Sequence, residues 1–336
     1  MPLNTKDGLA NKVLIGSAGI LSIKHSKLKY RSFLYRMCIV IVLSLLCSNH
    51  TLKAQAKTPF FQKSDTLNKK RRTSVYITEA ALGTAALIGL NELWYKDYPR
   101  SSFHSLNDNS QWMQMDKFGH AYSSYFIGKM GMDALAWSGE SKKNQLIYGA
   151  GLGFVFLTAV EVLDGFSQEW GFSTGDVLAN AMGTGLLIGQ ELLWDEQRIQ
   201  FKFSFSPTDY PDLIPDKLGS NSLQQIIKDY NGQTYWLSVN LRSFFKESKI
   251  PGWFNVAIGY GANGLPEGSY DFTTLPPQPI ASYRQIFASI DVDLTKIPTN
   301  SGFLKTLFNV FNYVKVPAPS FEYRTNGEFV FHFLYF

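Results

Sequence analysis

The sequence predicts an α+β fold: an apolar four-helix bundle followed by an antiparallel β region, read as a possible small membrane barrel or half-barrel. Three observations predict it. Between residues 73 and 198 the chain runs in long segments rich in Ala, Leu, Gly and Phe. Past residue 199 the apolar period changes from helical to two. Aromatic residues make up 15% of the 336 residues and charged residues only 18%, a balance that leans toward the membrane or envelope class.

The first segment, residues 1–56, reads as an export signal with a long basic lead. Lys24, Lys27, Lys29, Arg31 and Arg36 precede the apolar run Met37 to Leu46, and Ala54-Gln55-Ala56 supplies a small-x-small cleavage site. Cys47 follows the bulky Leu46, where a lipoprotein signal wants a small residue. Cleavage near Ala56 would change the electrostatics. Residues 1–56 hold eight of the 32 Lys and Arg but one of the 27 Asp and Glu, so the remainder has a formal charge of −2. Nucleic-acid binding is therefore not expected. Both cysteines also lie in that segment, which excludes a disulfide, a thiolate nucleophile or a cysteine metal site from the rest.

Residues 57–72 form a basic lead-in ending in Lys69-Lys70-Arg71-Arg72. The helical domain, 73–198, is expected as helices over 73–95, 111–137, 144–163 and 173–194, separated by Pro99 and Asn107-Asp108-Asn109, by Ser138-Gly139, and by Asp164-Gly165. Ser173 can cap the fourth. Gly149 and Gly153, and Gly185 and Gly189, have the four-residue spacing that lets helices approach closely.

The β-rich region, 199–336, is expected to be membrane-associated. Phe201, Phe203 and Phe205 alternate with Lys202 and Ser204, and the same pattern recurs over 235–242, 254–260 and 285–294. Asn326-Gly327 is a two-residue hairpin signal, and the chain ends in an aromatic strand, Phe329 to Phe336. Residues 301–314 read as an amphipathic helix able to lie on a membrane surface.

Within this apolar frame the charged residues stand out, because buried charge is costly unless paired or used. Asp116 and His120 lie four apart on one helix face, with Ser123 and Ser124 above them, and Asp176 and Asn180 repeat the spacing on the fourth helix. Glu161 and Asp164 close the third. Antiparallel packing would bring these ends to one level. His120, Asp116 and Glu161 are the candidate catalytic residues, with His120 as general base. Lys117, Ser123, Asp164, Asp176 and Asn180 are candidate binding residues. The same acids with His120 could hold a divalent cation, or the groups could pair among themselves as scaffold. The sequence names no cofactor and no particular metal, and no P-loop, His-Glu-x-x-His, Gly-x-Ser-x-Gly or dinucleotide fingerprint occurs.

Three stretches carry a resemblance: Asp116-Lys117-Phe118-Gly119-His120-Ala121-Tyr122, Glu161-Val162-Leu163-Asp164-Gly165, and Gly171 to Asn180 with Gly183. Through them roughly residues 73–195 resemble an uncharacterised family of bacterial envelope proteins, the YfiM-like periplasmic lipoproteins. More distantly they are similar to VanZ-like membrane proteins, which are associated with glycopeptide tolerance. The resemblance implies an envelope location and transfers no reaction. The chain departs from it in its poor lipobox and its β-rich half.

The expectation is thus an envelope protein of the outer membrane or periplasm, with the inner membrane as the alternative and a lipid partner; protein partners are left open. Its polar cluster is structural or binds an ion or ligand. The alternative is a membrane-interface hydrolase or transferase acting on a lipid or cell-wall precursor.

Overall fold

The computed structural model describes residues 59–96, 98–265 and 281–336. The export signal, its cleavage site and Cys47 lie outside the described residues.

Helix α1 spans Lys69–Leu90 and continues as a wide turn over Asn91–Tyr95. It starts four residues before the expected point because Asn68 caps it, accepting from the Arg71 amide at 3.1 Å. Helix α2 spans Met115–Trp137, α3 Lys142–Asp164 and α4 Thr174–Trp194. Ser173 caps α4 as expected, its hydroxyl accepting from the Asp176 amide at 3.2 Å. Both α1 and α3 are long and apolar enough to cross a membrane.

α2 lies at the centre and packs on α3 and α4 at distances only glycine permits. A Cβ on Gly153 would lie 2.0 Å from the Ser124 carbonyl oxygen, and one on Gly183 2.0 Å from that of Ala121. The Gly149–Gly153 spacing therefore does the expected work. Gly185 and Gly189 do not: both face open space.

Six strands follow in meander order: β1 Ile199–Phe205, β2 Gln233–Asn240, β3 Phe254–Asn263, β4 Tyr283–Val292, β5 Ala318–Arg324 and β6 Phe329–Tyr335. All neighbours are antiparallel. Helix α5, Gly302–Phe311, is the expected amphipathic element. The short helices at Tyr210–Leu213, Pro215–Leu218 and Ser222–Lys228 were not foreseen.

The sheet is open and curled rather than a closed barrel. Residues just before β5 fold back on the free edge of β1: Phe203 donates to the Tyr313 carbonyl and Lys315 to that of Phe203, both at 2.9 Å. Between Ala318 and Ser320 the pairing slips, so that two residues of β5 span three of β6. This bulge turns both His332 and Tyr335 inward, where Tyr335 meets Trp236 and Phe287 at ring distances of 6.0 and 4.5 Å.

The curl gives the sheet an inverted polarity. Its concave face holds Lys202, Ser204, Ser238, Asp291, Ser320 and Glu322, all buried. Its convex face carries Ile258, Ile286, Ile290, Phe321, Phe329, Phe331 and Phe333, all exposed, with Phe329 at 81% and Phe333 at 83%. That face is covered where Phe201, Phe203, Tyr235 and Tyr260 of β1–β3 pack on Phe118, Tyr122 and Tyr125 of α2. The helices and the sheet thus share one core, in which Met115, Tyr125 and Leu187 are fully buried. Each such side chain contributes about 1.5–3 kcal/mol.

Candidate functional site

Three helix ends meet as the spacing predicts. The first turns of α2 and α4 lie beside the last turn of α3, and the end of the α1 segment joins them through Tyr95, whose hydroxyl donates to Asp164 Oδ1 at 2.6 Å. Entry to α2 is unusual. Trp112, Met113 and Gln114 have φ of 49°, 49° and 65°, a left-handed turn that L-residues resist. The sheet holds it there: Tyr260 donates to the Met113 carbonyl, and Arg284 to Gln114 Oε1 at 2.8 Å.

Lys117 is the hub. Its ammonium lies 2.7 Å from Asp108 Oδ1, 2.7 Å from Asp176 Oδ1 and 3.2 Å from Asp116 Oδ2. His120 is the second centre. Its Nδ1 lies 3.2 Å from Asn180 Oδ1 and 3.5 Å from Glu161 Oε1, and its Nε2 faces Asp116 Oδ1 at 3.8 Å. Asp116 Oδ1 also accepts from the Tyr230 hydroxyl at 2.8 Å. Glu161 Oε2 accepts from the Ser173 amide at 3.3 Å, but among the described residues its buried Oε1 has no hydrogen-bond donor and the buried Asn180 Nδ2 no acceptor.

Of the sequence-predicted site residues, Asp116, Lys117, His120, Glu161, Asp164, Asp176 and Asn180 come together. Ser123 does not. The buried serine is Ser124, whose hydroxyl donates to the Asn180 carbonyl at 2.8 Å and pairs with Thr184. Asp108, Tyr95 and Tyr230 were missed. Asp108 reads as a loop residue, and nothing local marks a tyrosine from between two β segments as the lid of a helical cluster.

The cluster is short of positive charge. Among the described residues, Asp108, Asp116, Glu161, Asp164 and Asp176 face only Lys117 and His120, a formal −3 with every group ionised. Burial disfavours the Asp116 carboxylate, yet the charges of His120 and Lys117 hold it below its ordinary range. Burial pulls His120 down, but Asp116, Asp176 and Glu161 lift it above its ordinary value. Lys117 is likewise raised by its carboxylates against the effect of burial. Asp176, buried and beside Asp116, is pushed up to about 7. Ligand atoms of Asp116, His120 and Asp176 all lie within 4.8 Å of one another, close enough to share one metal ion.

Residues 106–189, a quarter of the chain, match the model of a family described as predicted periplasmic lipoprotein (DUF2279). The matched segment holds the cluster apart from Tyr95 and Tyr230, and stops before the sheet. No curated protein and no solved structure matches the chain.

Proposed function

We propose that this chain is a membrane-associated protein of the bacterial envelope whose Asp116–His120–Asp176 cluster binds a divalent cation. The family match supports the envelope location. The exposed apolar surface supports contact with lipid. It runs from the convex face of the sheet to the flanks of the helices, where Ile77, Leu82, Val155, Met182 and Leu193 are exposed.

The observation that carries the cation reading is the orientation of His120. With Nδ1 donating to Asn180 Oδ1, Nε2 is left as the basic nitrogen facing Asp116. An imidazole whose other ring nitrogen is held by an oxygen acceptor has the usual support of a metal-bound histidine. Two carboxylates and one imidazole suit Zn²⁺ or Mn²⁺. The ion would supply the charge the cluster lacks, sharing Asp116 and Asp176 with Lys117.

The test is thermal unfolding of the purified chain with and without each cation. Saturation at a hundredfold excess over Kd raises stability by about 2.7 kcal/mol. The reading expects such a rise in the wild type and its loss in Asp176→Asn. Equal shifts in both proteins would refute it.

The same pinned imidazole favours a second reading, a membrane-interface hydrolase or transferase on a lipid or cell-wall precursor, with His120 as general base and Asp116 or Glu161 orienting it. Here His120→Ala would leave the folded protein at normal abundance and abolish turnover of the precursor. Loss of abundance instead would point to scaffold.

A further inference from the structure

The acidic cluster occupies one end of the molecule, and the opposite end has the reverse character. α2 runs between them, its 23 residues giving a length of about 35 Å. At the far end a set of contacts gathers the ends of α1 to α5 with the segments after β2 and β4. Arg71 at the start of α1 stacks on Trp137 at the end of α2, with Cζ 4.4 Å from the ring centre. Lys142 at the start of α3 meets Asp195 at the end of α4 at 2.7 Å. Trp194 packs on Phe244 after β2, at 5.4 Å. Lys296, after β4, bonds Ser243 in the same turn, and Phe303 of α5 packs on Phe61 at 5.7 Å.

Exposed lysines crowd this end: Lys69, Lys70, Lys143, Lys246, Lys249 and Lys305. Among the described residues none of the six has an ion-pair partner. The acids there are fewer. Glu140 is already taken by Arg72, Glu191 and Asp195 by Lys142, and Glu196 by Arg198 and Lys296, which leaves Asp65 and Glu247. Exposed aromatics are interleaved with the lysines: Phe60 at 63%, Phe245 at 62%, Phe303 at 55% and Trp253 at 40%.

One detail argues that an anion is expected here. Lys69, Lys70, Arg71 and Arg72 fill the first turn of α1, where the helix dipole already presents positive charge. Arg71 and Arg72 are held by Trp137 and Glu140, but Lys69 and Lys70 are not. They share one open face of α1 with Thr73, Ser74, Ile77 and Thr78, two cations and three hydroxyls beside a single isoleucine.

We propose that this end is a docking face for an anionic phospholipid surface. Its aromatic rings would sit at the boundary of headgroup and acyl chain, its ammonium groups on the lipid phosphates, and the acidic cluster would point away from that leaflet. Charge complementarity selects the occupant, and interleaved lysine and aromatic side chains are the form such a face takes. The inference rests on the membrane reading above.

The test is co-flotation of the natively expressed chain, exchanged out of detergent, with vesicles of phosphatidylcholine alone or mixed with phosphatidylglycerol. Tighter binding to the mixed vesicles, weakened by salt, is expected. Lys246→Gln with Lys249→Gln removes two exposed loop charges without touching the core. It should weaken binding to the mixed vesicles roughly 30-fold and leave phosphatidylcholine binding unchanged. Equal binding to both vesicle types would overturn the proposal while sparing the membrane reading. Binding to neither would overturn both. A charge preference that survives the double substitution would overturn the assignment to this face.

Discussion

The molecule buries charge in two places, and the two are built differently. Inside the curled sheet, Lys202 donates to the Val292 carbonyl at 2.7 Å and pairs with Asp291 at 2.8 Å, while Lys315 donates to the carbonyls of Ile290 and Val316. Glu322 takes Gln285, Arg324 and His332 together. Each of these charged groups finds its partners within the fold, although the neighbouring Gln200 Oε1 and Asp293 Oδ2 have none among the described residues. At the helix ends the acids outnumber the cations, Glu161 Oε1 and Asn180 Nδ2 are left over, and the imidazole is aimed. A saturated polar network is scaffold, whereas an unsaturated one of the same depth is the candidate for function.

Removing the central lysine of each cluster is the sharpest way to break that comparison. Lys117→Met and Lys202→Met should each cost about 3–5 kcal/mol, because each strands buried carboxylate. The account expects a divalent cation to restore much of the loss in Lys117→Met and none in Lys202→Met, as chemical denaturation with and without the ion would show. Rescue of both, or of neither, would erase the distinction.

Glycine substitutions separate the inner and outer faces of the bundle. Gly153→Ala drives a methyl into the Ser124 carbonyl and should destabilise by about 1–3 kcal/mol or more. Gly189→Ala meets open space and should stabilise by roughly 0.5–1 kcal/mol through helix propensity. Melting curves of the two variants measure both.

The pH dependence has a definite sign. His120 and Asp176 have folded pKa values above their unfolded ones, so their contribution is complete below the unfolded values and is lost as pH rises through the folded ones, near 7 for Asp176. Asp116, depressed, contributes above its unfolded value and loses that contribution as pH falls through the folded one. Stability should therefore peak in mild acid and fall by on the order of 1–3 kcal/mol toward pH 8. A bound cation, which competes with those protons, should flatten the fall. Denaturant titrations across this range would test it.

A further small effect concerns the strained entry to α2. Gln114→Gly relieves one left-handed residue and should gain about 1 kcal/mol. Its side-chain bonds to Arg284 and Asn109 oppose the gain, and differential scanning calorimetry gives the balance.

These contrasts were unequally legible in the sequence. Helix limits could be read within a few residues because Ser173, Gly139 and Asp164-Gly165 are local stop and start chemistry. The β1–β6 alternation was equally plain. Period two says that the faces differ without saying which is inside, so the buried row Lys202–Asp291–Glu322 and the exposed row Phe321–Phe331 could not be assigned. Asp116, His120, Asp176 and Asn180 declared themselves by four-residue spacing. Tyr230, more than a hundred residues from Asp116, had no such signal, and the hub role of Lys117 depends on three acids from three segments.

The most direct measurement is Co²⁺ titration of the purified chain, followed by visible absorption. The account predicts one equivalent bound with a ligand-field band, displaced by Zn²⁺, and lost in His120→Gln and in Asp176→Asn variants that still fold. No band, or a band unchanged by both substitutions, would contradict a cation site at Asp116, His120 and Asp176.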